Sequence, residues 1–295
     1  MEEQEKKLLK AGKIAREVKK YAKEIIKPGV LLVEIADKIE DKIEELGGKP
    51  AFPTGLSIND VAAHSTPQYN DETKAHGLLK VDLGVNIGGY LSDTAFSLDL
   101  ENNPTNKKLI EASDKALENA IEKIKQNQEV TLSEIGKTIQ KTITGEGFTP
   151  IANLSGHSIE RYNLHSGTTI PNIENNNSEK LFPGLFAIEP FSTNGSGKVY
   201  DSKPSGIYIL TDQKNIRNPL GRKILKFIIE EYNSLPFCSR WIVKKFGTRA
   251  LFSLKILENN GNLYQFSQLI EASHNKVSQS EHSILFKEEE VVITT

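Results

Sequence analysis

The strongest constraint on this chain is internal: residues 7–50 can be laid on residues 107–150 without a gap, at a constant offset of 100. Identical pairs include Lys7/Lys107, Leu9/Leu109, Val30/Val130, Leu32/Leu132, Ile35/Ile135, Ile39/Ile139, Ile43/Ile143, Gly47/Gly147 and Pro50/Pro150. Apolar residues at 32, 35, 39, 43 and 46 fall at helical spacing, as do 132, 135, 139 and 143. In each copy a glycine then reads as a helix stop, with proline soon after. Each copy reads as helix, turn, helix and a β-rich stretch. Two copies are too few for a solenoid. The expectation is an α+β fold of two similar halves that face each other and leave a cleft between them.

The β segments follow each copy. Leu79–Val85 and Tyr90–Leu98 alternate around Gly88-Gly89, a hairpin signal. Leu185–Phe191 and Gly206–Leu210 read as further strands, and Ser283–Phe286 with Val291–Thr294 as a closing hairpin around Lys287–Glu290. Between about 215 and 273 the character changes. Ile224, Leu225, Ile228, Ile229 and Tyr232 mark one helix; Leu251, Leu254, Ile256 and Leu257 mark another, stopped by Asn259-Asn260-Gly261. The expectation is one catalytic domain over 1–295, with a helical insertion subdomain at 215–273 in the second half.

The 295 residues suffice for a large core without covalent staples, and Cys238, the one cysteine, excludes an internal disulfide. A net charge of −2 gives no bulk attraction for nucleic acid. The opening MEEQEKKLLK has no apolar core, and no apolar run has membrane-spanning length. These features point to the cytoplasm, with no membrane and no specific nucleic acid as partner.

Asp82 sits inside the apolar strand Leu78–Val85, and Asp93 in its partner strand. A two-residue hairpin loop pairs residues whose numbers sum to an odd value, so Asp93 faces an even-numbered residue and shares a sheet face with Asp82. Two carboxylates on one face repel unless a positive charge lies between them. His157 lies in Asn153-Leu154-Ser155-Gly156-His157, Glu189 in Phe186-Ala187-Ile188-Glu189-Pro190-Phe191, and Glu281 just before Ile284-Leu285-Phe286. Four carboxylates and one imidazole make an oxygen-rich set suited to two divalent cations, which would acidify a shared water for attack on an amide. His64 and His165 are 101 apart, nearly the repeat offset, which suggests related places facing one another across the cleft. His76, His274 and His282 lack such context and read as structural or exposed. Cys238, with no local histidine, reads as a packed residue.

The ordered set Asp82, Asp93, His157, Glu189, Glu281 resembles the five metal ligands of the methionine aminopeptidases. So do Lys49-Pro50-Ala51-Phe52-Pro53, Leu154-Ser155-Gly156-His157-Ser158-Ile159, Ala187-Ile188-Glu189-Pro190-Phe191 and Glu281-His282. The segment Leu235-Pro236-Phe237-Cys238-Ser239-Arg240-Trp241 is similar to the insertion that marks type 2, in its short archaeal form. The resemblance covers nearly the whole chain and implies the pita-bread fold, with a pseudo-two-fold axis relating its halves. It implies removal of the initiator methionine from nascent polypeptides, with a preference for a small second residue. It implies two divalent ions, cobalt, manganese, iron or zinc. Asp82 would hold one ion, His157 and Glu189 the other, with Asp93 and Glu281 bridging. Glu189 would pass a proton to the leaving nitrogen, and His64 and His165 would polarise the substrate amide. Phe52, His64, Leu164, His165, Phe191 and Phe266 would wall the methionine pocket. Ribosome proximity and a monomeric state are implied too. The chain departs from the pattern at Asn86 and Gly88, at the hairpin tip where little effect is expected, and at Ser65, Phe266 and Ser280, which bears on the shape of the pocket. A proline-directed peptidase of the same fold would resemble longer chains, and a non-catalytic binding or RNA-associated relative would have lost ligand positions.

Overall fold

The computed structural model describes residues 2–287 and 290–295. The first copy forms α1 (Glu2–Ile25) and α2 (Leu32–Glu45), then β1 (Lys49–Pro50), β2 (Gly55–Ile58), β3 (Val61–Ala63), β4 (Leu78–Ile87) and β5 (Tyr90–Asp99). The second forms α3 (Pro104–Gln126) and α4 (Leu132–Gly145), then β6 (Thr149–Pro150), β7 (Ser155–Ile159), β8 (Thr169–Pro171), β9 (Gly184–Ile188), β10 (Phe191–Thr193) and β11 (Val199–Leu210). Next come α5 (Pro219–Glu231), β12 (Phe237–Cys238), α6 (Ser239–Phe246), α7 (Ala250–Asn259) and β13 (Leu263–Glu271). The chain ends with β14 (Val277–Gln279), β15 (His282–Phe286) and β16 (Val291–Ile293).

The repeat is physical. Gly47 and Gly147 both end their helices with left-handed backbone, φ 83° and 84°. Ile35, Ile39 and Ile43 pack on Val81, Leu83 and Val85, while Ile135, Ile139 and Ile143 pack on Phe186, Ile188 and Ile284. The same helical stripe therefore covers one sheet in each half, and each buried isoleucine contributes about 1.5–3 kcal/mol by leaving water. The copies differ in detail. Thr131 and Glu134 make a full capping box at the start of α4, whereas Leu31 gives α2 no side-chain cap.

β4 is the spine of the first sheet: β5 lies on one edge, and β1 and β2 share the other. The β4–β5 register pairs Gly84 with Asp93 and Asp82 with Ala95, so the two aspartates share a face, as the parity argument requires. The second half centres on the order β16-β15-β9-β7-β8. A third sheet, β12-β11-β13-β3, joins the halves, because Leu269 of β13 pairs with Ala63 of β3.

Three sequence expectations change. Leu185–Phe191 is not one strand: β9 stops at Ile188 and β10 starts at Phe191, since Pro190 has no N–H for the ladder. The helical segment ends at Asn259; residues 263–271, read with it, form β13 and run in the sheet between the halves. Helix α6 was not foreseen, because its buried face carries Ser239 and Arg240 beside Ile242 and Val243. The closing hairpin forms, although residues 288 and 289 of its loop lie outside the described residues.

Gly156 is required by close approach: a Cβ there would sit 2.3 Å from the Ala187 carbonyl oxygen of β9. Gly156→Ala is expected to push β7 off β9 and lower stability by about 1–3 kcal/mol in urea unfolding.

Candidate metal centre and substrate cleft

The halves meet at a cavity of 440 Å³ whose wall includes Asp82, Asp93, His157, Glu189 and Glu281, together with Phe52, His64, Leu164, His165, Phe191 and Phe266. Asp82, Asp93, His157, Glu189 and Glu281 arrive by four routes. Asp82 and Asp93 come from one hairpin. His157 is central in β7, directly across from Ala187 of β9. Glu189 occupies the break between β9 and β10, and Glu281 the break between β14 and β15. Both glutamates sit where a ladder is interrupted, which frees their side chains to turn inward. The backbone of Glu281 is fixed by its N–H donating to the Ala95 carbonyl, and by the Thr94 hydroxyl donating to its own carbonyl at 2.8 Å.

His157 Nε2 stands 3.6 Å from both Asp93 Oδ2 and Glu189 Oε1. Ligand atoms of Asp93, His157 and Glu281 lie within 4.8 Å of one another. Buried oxygens of Asp82 (Oδ1), Asp93 (Oδ1) and Glu281 (Oε2) have no hydrogen-bond partner. Orphaned buried carboxylate oxygens are costly, and gathered in one cavity wall with an imidazole they fit a site for divalent cations.

The electrostatics agree. Burial pushes Asp82 up to about 6. Burial first, and the Asp82 charge second, hold Asp93 well above the usual carboxylate range. Glu189 is raised by burial and then by Asp93 and Asp82; Glu281 by burial and then by Asp93, Glu189 and Asp82. Lys19, whose ammonium donates to Thr94 Oγ1 and the Ala95 carbonyl, offsets part of the charge near Glu281. Burial and then His165 bring His157 down to about 3, so its imidazole is neutral and able to ligate at neutral pH.

His64 and His165 both line the cavity, each six residues beyond a strand at the repeat offset, β2 and β7. His64 follows β3 in left-handed backbone at φ 56°, a strained conformation for a side chain of this kind, with its ring 5.4 Å from that of Phe266. His165 sits in the β7–β8 connection, its ring 4.2 Å from that of His157. Burial, and then the neighbouring His64, lower His165 to about 4. Burial also lowers His64, against a hydrogen bond to the backbone of Ser267. Both therefore present neutral imidazoles.

The remaining histidines lie apart: His76 and His274 are exposed, and His282 bonds Thr295 Oγ1. Cys238 is buried, its thiol pushed up to about 12 by burial, so it is no nucleophile. Asn86 caps the hairpin tip by accepting from the Gly89 N–H at 2.7 Å, and takes no part in the cavity.

Sequence reasoning missed Gln279. Its amide Nε2 donates to Asp82 Oδ2 at 3.2 Å and reaches Glu189 Oε2 at 3.5 Å, so it spans the two ends of the acidic cluster. Nothing local marks it; only its place two residues before Glu281 gave a hint. Gln279→Leu is expected to weaken divalent-metal affinity by roughly 10–100-fold, read by calorimetric titration, with the fold retained.

Residues 6–223 match metallopeptidase family M24. A curated methionine aminopeptidase of Methanocaldococcus jannaschii is 43% identical over 292 residues, covering 98% of this chain and 97% of its own length. Among solved structures, a thermophilic Arx1 superposes with TM-score 0.81 at 15% identity, over 98% of this chain and 90% of its own. The methionine aminopeptidase of Thermotoga maritima gives 0.72 at 21% identity, over 100% and 97%.

Proposed function

The chain belongs to metallopeptidase family M24, and from that premise we infer that the cavity between its halves is where an N-terminal methionine is cut from a peptide. The fold is the pita-bread fold of that family, and the enzyme is a methionine aminopeptidase that depends on divalent metal. The observation that carries this reading is the gathering of orphaned buried carboxylate oxygens of Asp82, Asp93 and Glu281 in the wall of one substrate-sized cavity that the neutral His157 shares.

Asp82, Asp93, His157, Glu189 and Glu281 would hold two ions, of cobalt, manganese, iron or zinc. Such ions, when bound, supply Lewis acidity toward the scissile carbonyl and a nucleophile at neutral pH. Glu189, mostly buried in the cavity wall, would accept a proton and return it to the leaving nitrogen. The neutral imidazoles of His64 and His165 donate toward the amide oxygen as charge develops there. Phe52, Leu164, Phe191 and Phe266 wall a pocket whose carbon surface suits an unbranched thioether.

The substrates are nascent polypeptides with a small second residue, met in the cytoplasm near the ribosome by a monomer that works as one catalytic domain with α5–α7 as its insertion. Among the described residues, no helix is long and apolar enough to cross a membrane.

The reading is tested with metal-stripped protein on Met-Gly-Met-Met, Gly-Gly-Met and Pro-Gly-Gly, with manganese, cobalt or iron added back. The expected result is metal-dependent release of methionine from the first peptide alone. Cleavage of the others moves the protein to a different peptidase specificity, and no cleavage with any metal sinks the enzyme reading.

A further inference from the structure

Helix α6 carries a fully buried arginine that no step of the chemistry uses. Arg240 has 0% exposure, and its guanidinium forks onto Glu40 of α2, with NH2 to Oε1 at 2.7 Å and NH1 to Oε2 at 2.8 Å. NH1 also reaches Asp37. Glu40 is buried on the apolar face of α2 and accepts two more donors, Trp241 Nε1 at 2.8 Å and the Thr54 N–H at 3.1 Å.

These bonds lead to the cavity wall by three routes. Thr54 follows Phe52 and Pro53, which line the cavity, and its carbonyl accepts from the Thr66 hydroxyl at 2.9 Å. Arg240 Nε donates to the Pro67 carbonyl at 3.2 Å, three residues beyond His64. Ser239 donates to Gln68 Oε1 at 2.5 Å; Gln68 Nε2 donates to the Ser205 carbonyl at 3.1 Å. The Ser205 hydroxyl donates to the Phe266 carbonyl at 2.7 Å and accepts from the N–H of Ile207, another wall residue, at 3.0 Å. None of these bonds touches Asp82, Asp93, His157, Glu189 or Glu281.

From this geometry we infer that Ser239 and Arg240, at the start of α6, are positioning residues. Acting through Glu40 and Gln68, they set the wall of the methionine pocket and leave the metal ligands independent. The inference rests on the peptidase reading for the identity of the ligand. The fork matters physically: a bidentate arginine fixes its partner in orientation as well as distance. Small displacements of a pocket wall are felt strongly in binding.

The test separates positioning from plain structural support. Replacing a buried ion pair with apolar residues of similar volume is often neutral or stabilising, so the double variant Glu40→Leu with Arg240→Met supplies a folded protein without the fork. Ser239→Ala cuts only the Gln68 route, and Arg240→Lys keeps the charge without the fork. L-methionine binding and manganese binding are measured calorimetrically, and KM and kcat on Met-Gly-Met-Met. The expected result is L-methionine affinity and KM weakened roughly tenfold in the double variant and in Arg240→Lys, and about threefold in Ser239→Ala, with manganese affinity and kcat little changed. Unchanged methionine affinity in every folded variant overturns the inference, as does a parallel fall in manganese affinity. If the double variant does not fold, Arg240→Lys and Ser239→Ala decide. Methionine binding needs no turnover, so a parent protein that binds it without cleaving any peptide strikes the peptidase reading alone. A parent that binds no methionine overturns both.

Discussion

Glu281→Gln is expected to lower kcat/KM on Met-Gly-Met-Met by on the order of a thousandfold or more, while making the metal-free protein more stable. The two effects have opposite signs for one reason. In the metal-free protein Glu281 is buried among Asp93, Glu189 and Asp82, and both burial and those charges oppose its ionised form. One of its oxygens has no partner. A neutral amide of the same shape removes one charge from the cluster and offers an N–H to a neighbouring carboxylate. The gain is read in urea unfolding with chelator present, as a higher midpoint than the parent protein shows. With metal present the lost charge is a lost ligand, so activity falls and metal no longer stabilises the fold. A variant that lost activity and metal-free stability together would instead be a folding defect, and the assignment of Glu281 to the metal centre would lose its support.

The second large effect is on metal affinity as a function of pH. Divalent ions bind deprotonated ligands. Burial has pushed Asp82 up to about 6, and Asp93, Glu189 and Glu281 are also raised, whereas His157 is lowered to about 3. The histidine is therefore already neutral across the working range, and the carboxylates set the dependence. Affinity for manganese should fall by about tenfold between pH 7 and 5 from Asp82 alone, and further from its neighbours. Calorimetry in buffers of differing ionisation enthalpy should show net proton release on binding. For stability the sign is opposite. A carboxylate raised in the folded state contributes stability that is complete below its unfolded value, and that is lost as pH rises through the folded one. For Asp82 that loss runs from the unfolded value of 3.8 to about 6. Metal should thus protect the fold most at the pH where the metal-free protein is weakest on this account. An affinity independent of pH below 7 would contradict the coupled cluster.

Much of this was legible in the sequence because the decisive signals were local or periodic. The repeat set both helical hairpins, since Ile35, Ile39 and Ile43 and their partners 100 residues on face equivalent sheets. The shared face of Asp82 and Asp93 followed from hairpin parity. Their convergence with His157, Glu189 and Glu281 came from resemblance, because no local rule brings β7, the β9–β10 break and the β14–β15 break together. Gln279 stayed hidden for the same reason: its partners are 197 and 90 residues away. The Arg240–Glu40 tie was hidden differently. A charged residue at a core position breaks the apolar stripe that reveals a helix, so α6 was missed. The 101-residue spacing of His64 and His165 suggested related places, and each lies in the wall of one cavity six residues beyond a strand at the repeat offset, β2 or β7.

The central claim is that the buried acids and His157 form one two-ion centre that removes methionine. The most direct measurement is a titration of metal-stripped protein with manganese, following heat of binding and methionine release from Met-Gly-Met-Met in the same sample. The account predicts saturation near two equivalents per chain, with release appearing as the site fills and both signals lost in Glu281→Gln. Binding without release, or release that persists in that variant, would contradict it.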